Sequence, residues 1–210
     1  MEPTISLEQK ANVPQTKLLN RVEQAEPNIE VLANARDMMG LPYFSKDNPE
    51  NPSCIDVFVR AAGLEKTITE HAILHKNIYS TSNERLDGWK KGAAYILDLF
   101  GINNFNNVPE NPMFARRIQN VITYQQACGL YQPNINANVA LGWIVYFSNG
   151  KSKVPTHAGI VSAVDNNKKP TKVIHASYTR KKVVEDSIKT LIESGLKVVA
   201  YGAPPKRVKN

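Results

Sequence analysis

"THAGIVSAVDNNKKPTKVIHASYT", residues 156–179, decides how the rest of the chain is read. Two short β-branched runs, "HAGIV" and "KVIHAS", flank the polar stretch "DNNKKPTK", which is a turn region by its Asp, Asn and Pro. The pattern predicts an antiparallel hairpin. Working outward, "GWIVYFSNG" lies upstream, and "KKVVEDS" and "LKVVAYGA" lie downstream. All three are strand-like, and "SIKTLIESG" reads as one helix inserted before the last strand.

Before Leu141 the periodicity is helical. "PNIEVLANARDMMG" spaces Val31, Leu32, Ala35, Met38 and Met39 on one face and stops at Gly40. "LPYFSKDNPENP" is a loop, and "SCIDVFVRAAG" is a short helix ending at Gly63. Three more helical segments follow: "LEKTITEHAILHKNI", "NERLDGWKKGAAYILDLFG" and "NPMFARRIQNVITYQQACGL". In the last, Asn111 is the expected cap and Pro112 the first helical residue. Helices first and strands second predict an α+β domain with helices packed on an antiparallel meander, not a βαβ array. Residues 1–27 read as a polar N-terminal extension. Residues 28–210 read as one domain with a helical insertion at about 66–130.

The chain has 210 residues, 42% of them hydrophobic and 21% charged, an ordinary balance for a globular protein. It contains no run apolar and long enough to span a membrane. The first residues lack the apolar core of a signal peptide. The net charge of +7 favours an anionic partner. The lysine clusters "KSK", "NNKKPTK", "YTRKKV" and "PPKRVKN" carry no interleaved aromatics and no nucleic-acid motif, so they read as a solvated basic face.

Two cysteines cannot make a disulfide framework, although one Cys54–Cys128 bridge or two thiols are both open. Cys128 sits inside a long amphipathic helix and reads as a small buried filler. Cys54 is different. Ser53 is a good N-cap and Asp56 follows three residues later, a capping-box pattern that makes Cys54 the first helical residue. A helix N-terminus stabilises an anion, and the thiolate is the reactive form of cysteine. The expected base lies in the hairpin. A register exists that puts His157 and His175 on one face, where one imidazole takes the proton from Cys54 and the other orients it. His71 and His75, four apart in "EHAILH", share a helix face. A zinc-protease pair needs Glu directly after the first histidine, and Ala72 stands there, so no metal is expected.

These residues resemble the entry and core segments of the NlpC/P60 cysteine peptidases of bacterial cell walls. "ARDMMGLPYFSKDNPENPSCIDVFVRAA" is similar to their helix, Gly-x-Pro-Tyr motif, polar loop and cysteine-bearing helix. "GWIVYF", "HAGIV" and "VIHAS" are similar to three of their strands in the same order. The resemblance covers about half of the chain in pieces. It departs from the family at Ser53-Cys54-Ile55-Asp56, where Asp-Cys-Ser-Gly is usual, and at Trp143, where an acidic residue is usual.

The resemblance implies a papain-like α+β fold. It implies Cys54 as nucleophile, His157 as general base, His175 as orienting residue, and Tyr43, Ser53 and Asp56 as substrate contacts. The implied reaction is hydrolysis of an amide in peptidoglycan stem peptides, without cofactor, in the cell envelope or outside it. The alternatives are a wall-binding relative without turnover and an acyl transferase using the same acyl-enzyme.

Overall fold

A computed structural model describes residues 26–45, 47–75, 78–79, 115–150 and 154–205. Five helices and six strands appear among them: α1 (Ile29–Asp37), α2 (Cys54–Ala61), α3 (Glu65–Leu74), α4 (Ile118–Ala127), β1 (Tyr131–Gln132), β2 (Ile144–Ser148), β3 (His157–Val164), β4 (Pro170–Ser177), β5 (Lys182–Ser187), α5 (Ile188–Glu193) and β6 (Lys197–Gly202). The expected helix "NERLDGWKKGAAYILDLFG", the Asn111–Pro112 start and nearly all of the N-terminal extension lie outside the described residues. Among the described residues, no helix is long and apolar enough to cross a membrane.

The strands form one open antiparallel sheet in the order β1-β6-β2-β3-β4-β5. From β2 to β5 it is the expected meander. β6 departs from it: α5 carries the chain back so that β6 pairs with β2, across from β3. Ile188 and Leu191 of α5 are buried against the sheet, and this apolar contact fixes the crossing. A two-residue β1 then pairs with β6 (Tyr131 opposite Gly202). The helical segment read from the sequence runs to Leu130, just before β1, but α4 stops at Ala127 and Gly129 turns the chain at φ +67°.

Alternation along the strands sends side chains to two cores. Ile144, Tyr146, Ala158, Ile160, Ile174 and Ala176 pack against the layer of α1 to α4. Val145, Phe147, Val161, Val173 and Tyr201 pack on the other face, with Trp143 and α5. α2 is buried at Ile55, Val57, Phe58, Val59 and Ala61, on nearly all sides, because it lies between α1 and the strands β3 and β4. Gln125 of α4 locks its helix to the sheet. Its amide donates to the Ala203 carbonyl (3.0 Å) and its oxygen accepts from the Tyr146 hydroxyl (2.6 Å). Gly202 lets it in, since a Cβ there would stand 2.1 Å from the Gln125 oxygen.

Candidate active site

The Gly40-Leu41-Pro42-Tyr43 segment works as an added edge to the sheet. Gly40 turns the chain out of α1 at φ +86°. Its amide then donates to the Val183 carbonyl (2.9 Å), Val183 donates back to Leu41 (2.9 Å), and Tyr43 donates to Lys181 (2.8 Å). Pro42 falls between these bonds, where a missing N–H costs nothing. The segment delivers the Tyr43 ring to the neighbourhood of Cys54, Asp56 and Tyr178. Tyr178 meets it edge to face at 5.7 Å, and Lys181 covers the Tyr178 ring at 3.5 Å. Burial first, then the charges these neighbours can carry, push the Tyr43 hydroxyl well above the ordinary phenol range.

Ser53 caps α2 in an extended conformation and Cys54 opens the helix, as the sequence predicts. The Asp56 carboxylate accepts from the Ser53 amide at 2.8 Å. Asp56 is only 1% exposed, and the Arg116 guanidinium grips both of its oxygens (Nε to Oδ1 at 2.5 Å, Nη2 to Oδ2 at 2.8 Å). Arg116 also donates to the carbonyls of Pro49 and Asn51. This corrects the expectation that Asp56 contacts substrate. Its oxygens are committed inside the protein, and its work is to fix the loop before Cys54 and the helix start. Ser53 is half-buried at that start.

Cys54 and Cys128 are both thiols, so the bridge left open by the sequence does not form. Cys54 is half-buried as a residue, but protein crowds its sulfur, which faces the amides of Ala158, Ile55 and Cys54 itself. The Ala158 amide is available because of the sheet. Odd residues of β3 bond β2 (Val161 N–H to the Trp143 carbonyl, 2.7 Å), so Ala158 points to the β4 side. There the β3–β4 pairing ends at Ile160 opposite Ile174. The sulfur therefore sits at the unzipped end of that hairpin, at the amide of the residue that follows His157 in the chain.

The two imidazoles come together as expected. His157 Nε2 lies 2.9 Å from His175 Nδ1 with the rings nearly perpendicular, and Phe147 flanks His157. Gly159, between them on the same face, leaves the space the His175 side chain uses. A further partner extends the line. His175 Nε2 is 2.9 Å from Asp186 Oδ2, and Arg180 bonds Asp186 Oδ1.

Burial governs the electrostatics. It pushes the Cys54 thiol up to about 11, against the pull of the three amides. It pushes His157 down to about 3, helped by His175, and lowers His175 despite the bond to Asp186. For Asp186 burial acts upward, but Arg180 and His175 outweigh it and hold the carboxyl below its ordinary value. The expectation of a thiolate stabilised by the helix end is thus corrected. Desolvation of a sulfur enclosed by α2 and β3 outweighs a helix terminus. Cys54 thus rests as a neutral thiol and His157 as a neutral imidazole.

Asp186, Arg180 and Arg116 escaped the sequence reading. In "KKVVEDS" Glu185 and Asp186 point to opposite faces of the strand, and only the register chooses between them. Arg116 finds Asp56 across sixty residues of chain. At the other histidine pair, His71 Nδ1 meets the Tyr79 hydroxyl at 2.9 Å, and the centroids of the His71 and His75 rings lie 4.4 Å apart. Among the described residues no group of three metal-ligating side chains lies together. Comparison of the chain with protein families, with curated proteins and with solved structures finds no match.

Proposed function

We propose that the chain is a papain-like cysteine hydrolase of the NlpC/P60 type, which cuts amide bonds in peptidoglycan stem peptides through an acyl-enzyme on Cys54. One observation carries the reading: the His157–His175 contact of 2.9 Å lies at the end of β3 where the neighbouring Ala158 amide meets the Cys54 sulfur. In the first step the sulfur bonds to the substrate carbonyl carbon as its proton passes to His157. That proton then goes to the leaving amine as the C–N bond breaks. Water, deprotonated by His157, attacks the thioester and releases Cys54. Amides at the helix start stabilise the oxyanion. Tyr43 and Tyr178 form the rim that meets the substrate.

The stem-peptide substrate and the envelope location rest on the resemblance of the Gly-x-Pro-Tyr, cysteine-helix and two-histidine segments. A net charge of +7 suits an anionic wall polymer. The test compares the wild-type protein with Cys54→Ala on purified muropeptides, with mass analysis of the fragments. Fragments from the wild type alone support the reading and name the bond. Intact muropeptides with both proteins overturn it.

A further inference from the structure

We infer that Asp186, held by Arg180, is a positioning residue that sets the tautomer of both imidazoles and so leaves the base nitrogen of His157 bare. The consequence for catalysis rests on the hydrolase reading above; the tautomers themselves do not. Asp186, His175 and His157 form a chain of donors and acceptors. An ionised carboxylate only accepts, so the nitrogen facing it, His175 Nε2, must carry a hydrogen. A neutral imidazole has one N–H, so His175 Nδ1 is a lone pair. The nitrogen facing that lone pair, His157 Nε2, must then donate. His157 has no second hydrogen, and its Nδ1 is the bare nitrogen. One carboxylate on β5 thereby fixes proton positions two side chains away. The lowered basicity of both rings keeps them neutral, each with a single N–H.

Arg180 gives the arrangement a second, separable feature. Its guanidinium demands an acceptor at Asp186 Oδ1. In Asp186→Asn that demand turns the amide oxygen to Arg180 and the NH2 group to His175. A donor now faces Nε2, and every bond in the line reverses. His175 Nδ1 becomes the donor, His157 Nε2 the acceptor, and His157 Nδ1 carries the hydrogen. The base is then blocked by its own proton. Asp186→Ala only releases the rings, so it harms less than the closer isostere. Removing Arg180 as well (Arg180→Met with Asp186→Asn) lets the amide turn its oxygen back to His175. In a Ser-His-Asp triad, the corresponding Asp→Asn change lowers turnover about 10⁴-fold by imposing the wrong tautomer.

The test is ring-nitrogen NMR on the full chain labelled with 15N-histidine at neutral pH, with thermal unfolding as the check on folding. In the wild type, His157 and His175 are expected to show a hydrogen on Nε2 and a bare Nδ1. In Asp186→Asn both rings are expected to exchange these signatures, and in the double variant both are expected to return. Turnover on muropeptides should fall about 10²- to 10⁴-fold in Asp186→Asn, fall less in Asp186→Ala, and partly recover in the double variant. A hydrogen on His157 Nδ1 in the wild type overturns the proposal, even where Asp186→Asn fails to fold. So do rings that keep their tautomers in a folded Asp186→Asn. If the wild type shows the expected tautomers but cuts no muropeptide, the hydrolase reading fails and the tautomer assignment stands.

Discussion

Gly159 faces His175 so closely that a β-carbon on the glycine would lie 3.3 Å from the β-carbon of the histidine, and 3.1 Å from that of Val173. Both neighbours are anchored to the β4 backbone, so the methyl of Gly159→Ala forces the two strands apart at the histidine pair. Overpacking of this kind costs about 1–3 kcal/mol. On the hydrolase reading proposed above, a displacement of a few tenths of an ångström between the base and its orienting residue should lower kcat by about tenfold. Urea unfolding and steady-state kinetics on the variant check both. Gly142→Ala serves as the control. It sits at φ +82° with Asn28 O 2.3 Å from the added carbon, remote from the histidines, and should cost stability while sparing kcat.

Arg116 and Asp56 form a buried pair, with side chains 8% and 2% exposed. Such a pair adds little net stability over an apolar substitute, but removing one partner strands the other charge. Arg116→Met should therefore destabilise the fold by about 3–5 kcal/mol. The double variant Arg116→Met with Asp56→Leu should recover much of that loss. Because Arg116 also ties down Pro49 and Asn51, the single variant should open the loop before Cys54 to proteolysis. Denaturant melts and limited proteolysis with mass mapping read the two effects.

How much of this was legible beforehand follows the range of the forces involved. Local signals were readable: Ser53 before Cys54, Gly40 after α1, and the paired β-branched runs around "DNNKKPTK". They give α2, the Gly-x-Pro-Tyr turn and the β3–β4 hairpin with His157 and His175 on one face. The order of the sheet was not readable, because β6 returns to β2 through packing of Ile188 and Leu191 that no local pattern encodes. Asp186 was hidden by a choice of register, and Arg116 by sequence distance. The charge state of Cys54 was misread for a related reason. A helix end is visible in sequence, whereas the enclosure of a sulfur by α2 and the end of β3 exists only after folding.

That enclosure has a direct chemical consequence for Cys54. With its thiol pushed up to about 11, the thiolate is scarce at neutral pH, and its fraction grows about tenfold per pH unit from 7 to 10. Alkylation of Cys54 by iodoacetamide should follow the same slope and level off near pH 11. Cys128 is also raised by burial, so neither thiol should react quickly in acid. Rate measurements at Cys54 from pH 5 to 11, with peptide mapping, check this. A fast plateau already present at pH 6 would mean a thiolate–imidazolium pair and would contradict the neutral resting state.

The histidines make the opposite end of the pH scale equally telling. In the unfolded chain His157 and His175 take up protons near the ordinary imidazole value of about 6.5. In the folded protein burial lowers both, His157 to about 3. Between these values the unfolded state binds more protons, so stability rises with pH and is lost as pH falls from about 6.5. Each histidine that stays neutral in the fold contributes a slope of about 1.4 kcal/mol per pH unit in that window. His71, also lowered by burial, acts in the same sense. Asp186 is lowered too, but as a carboxyl it loses its contribution only below about pH 4, where its unfolded form takes a proton. The window from pH 6 to 5 therefore isolates the imidazoles. His157→Gln should reduce the slope there by about one proton, measured by urea unfolding at closely spaced pH values. An unchanged slope would mean that His157 is already solvated and protonated in the fold, and the buried neutral line from His157 to Asp186 would not hold.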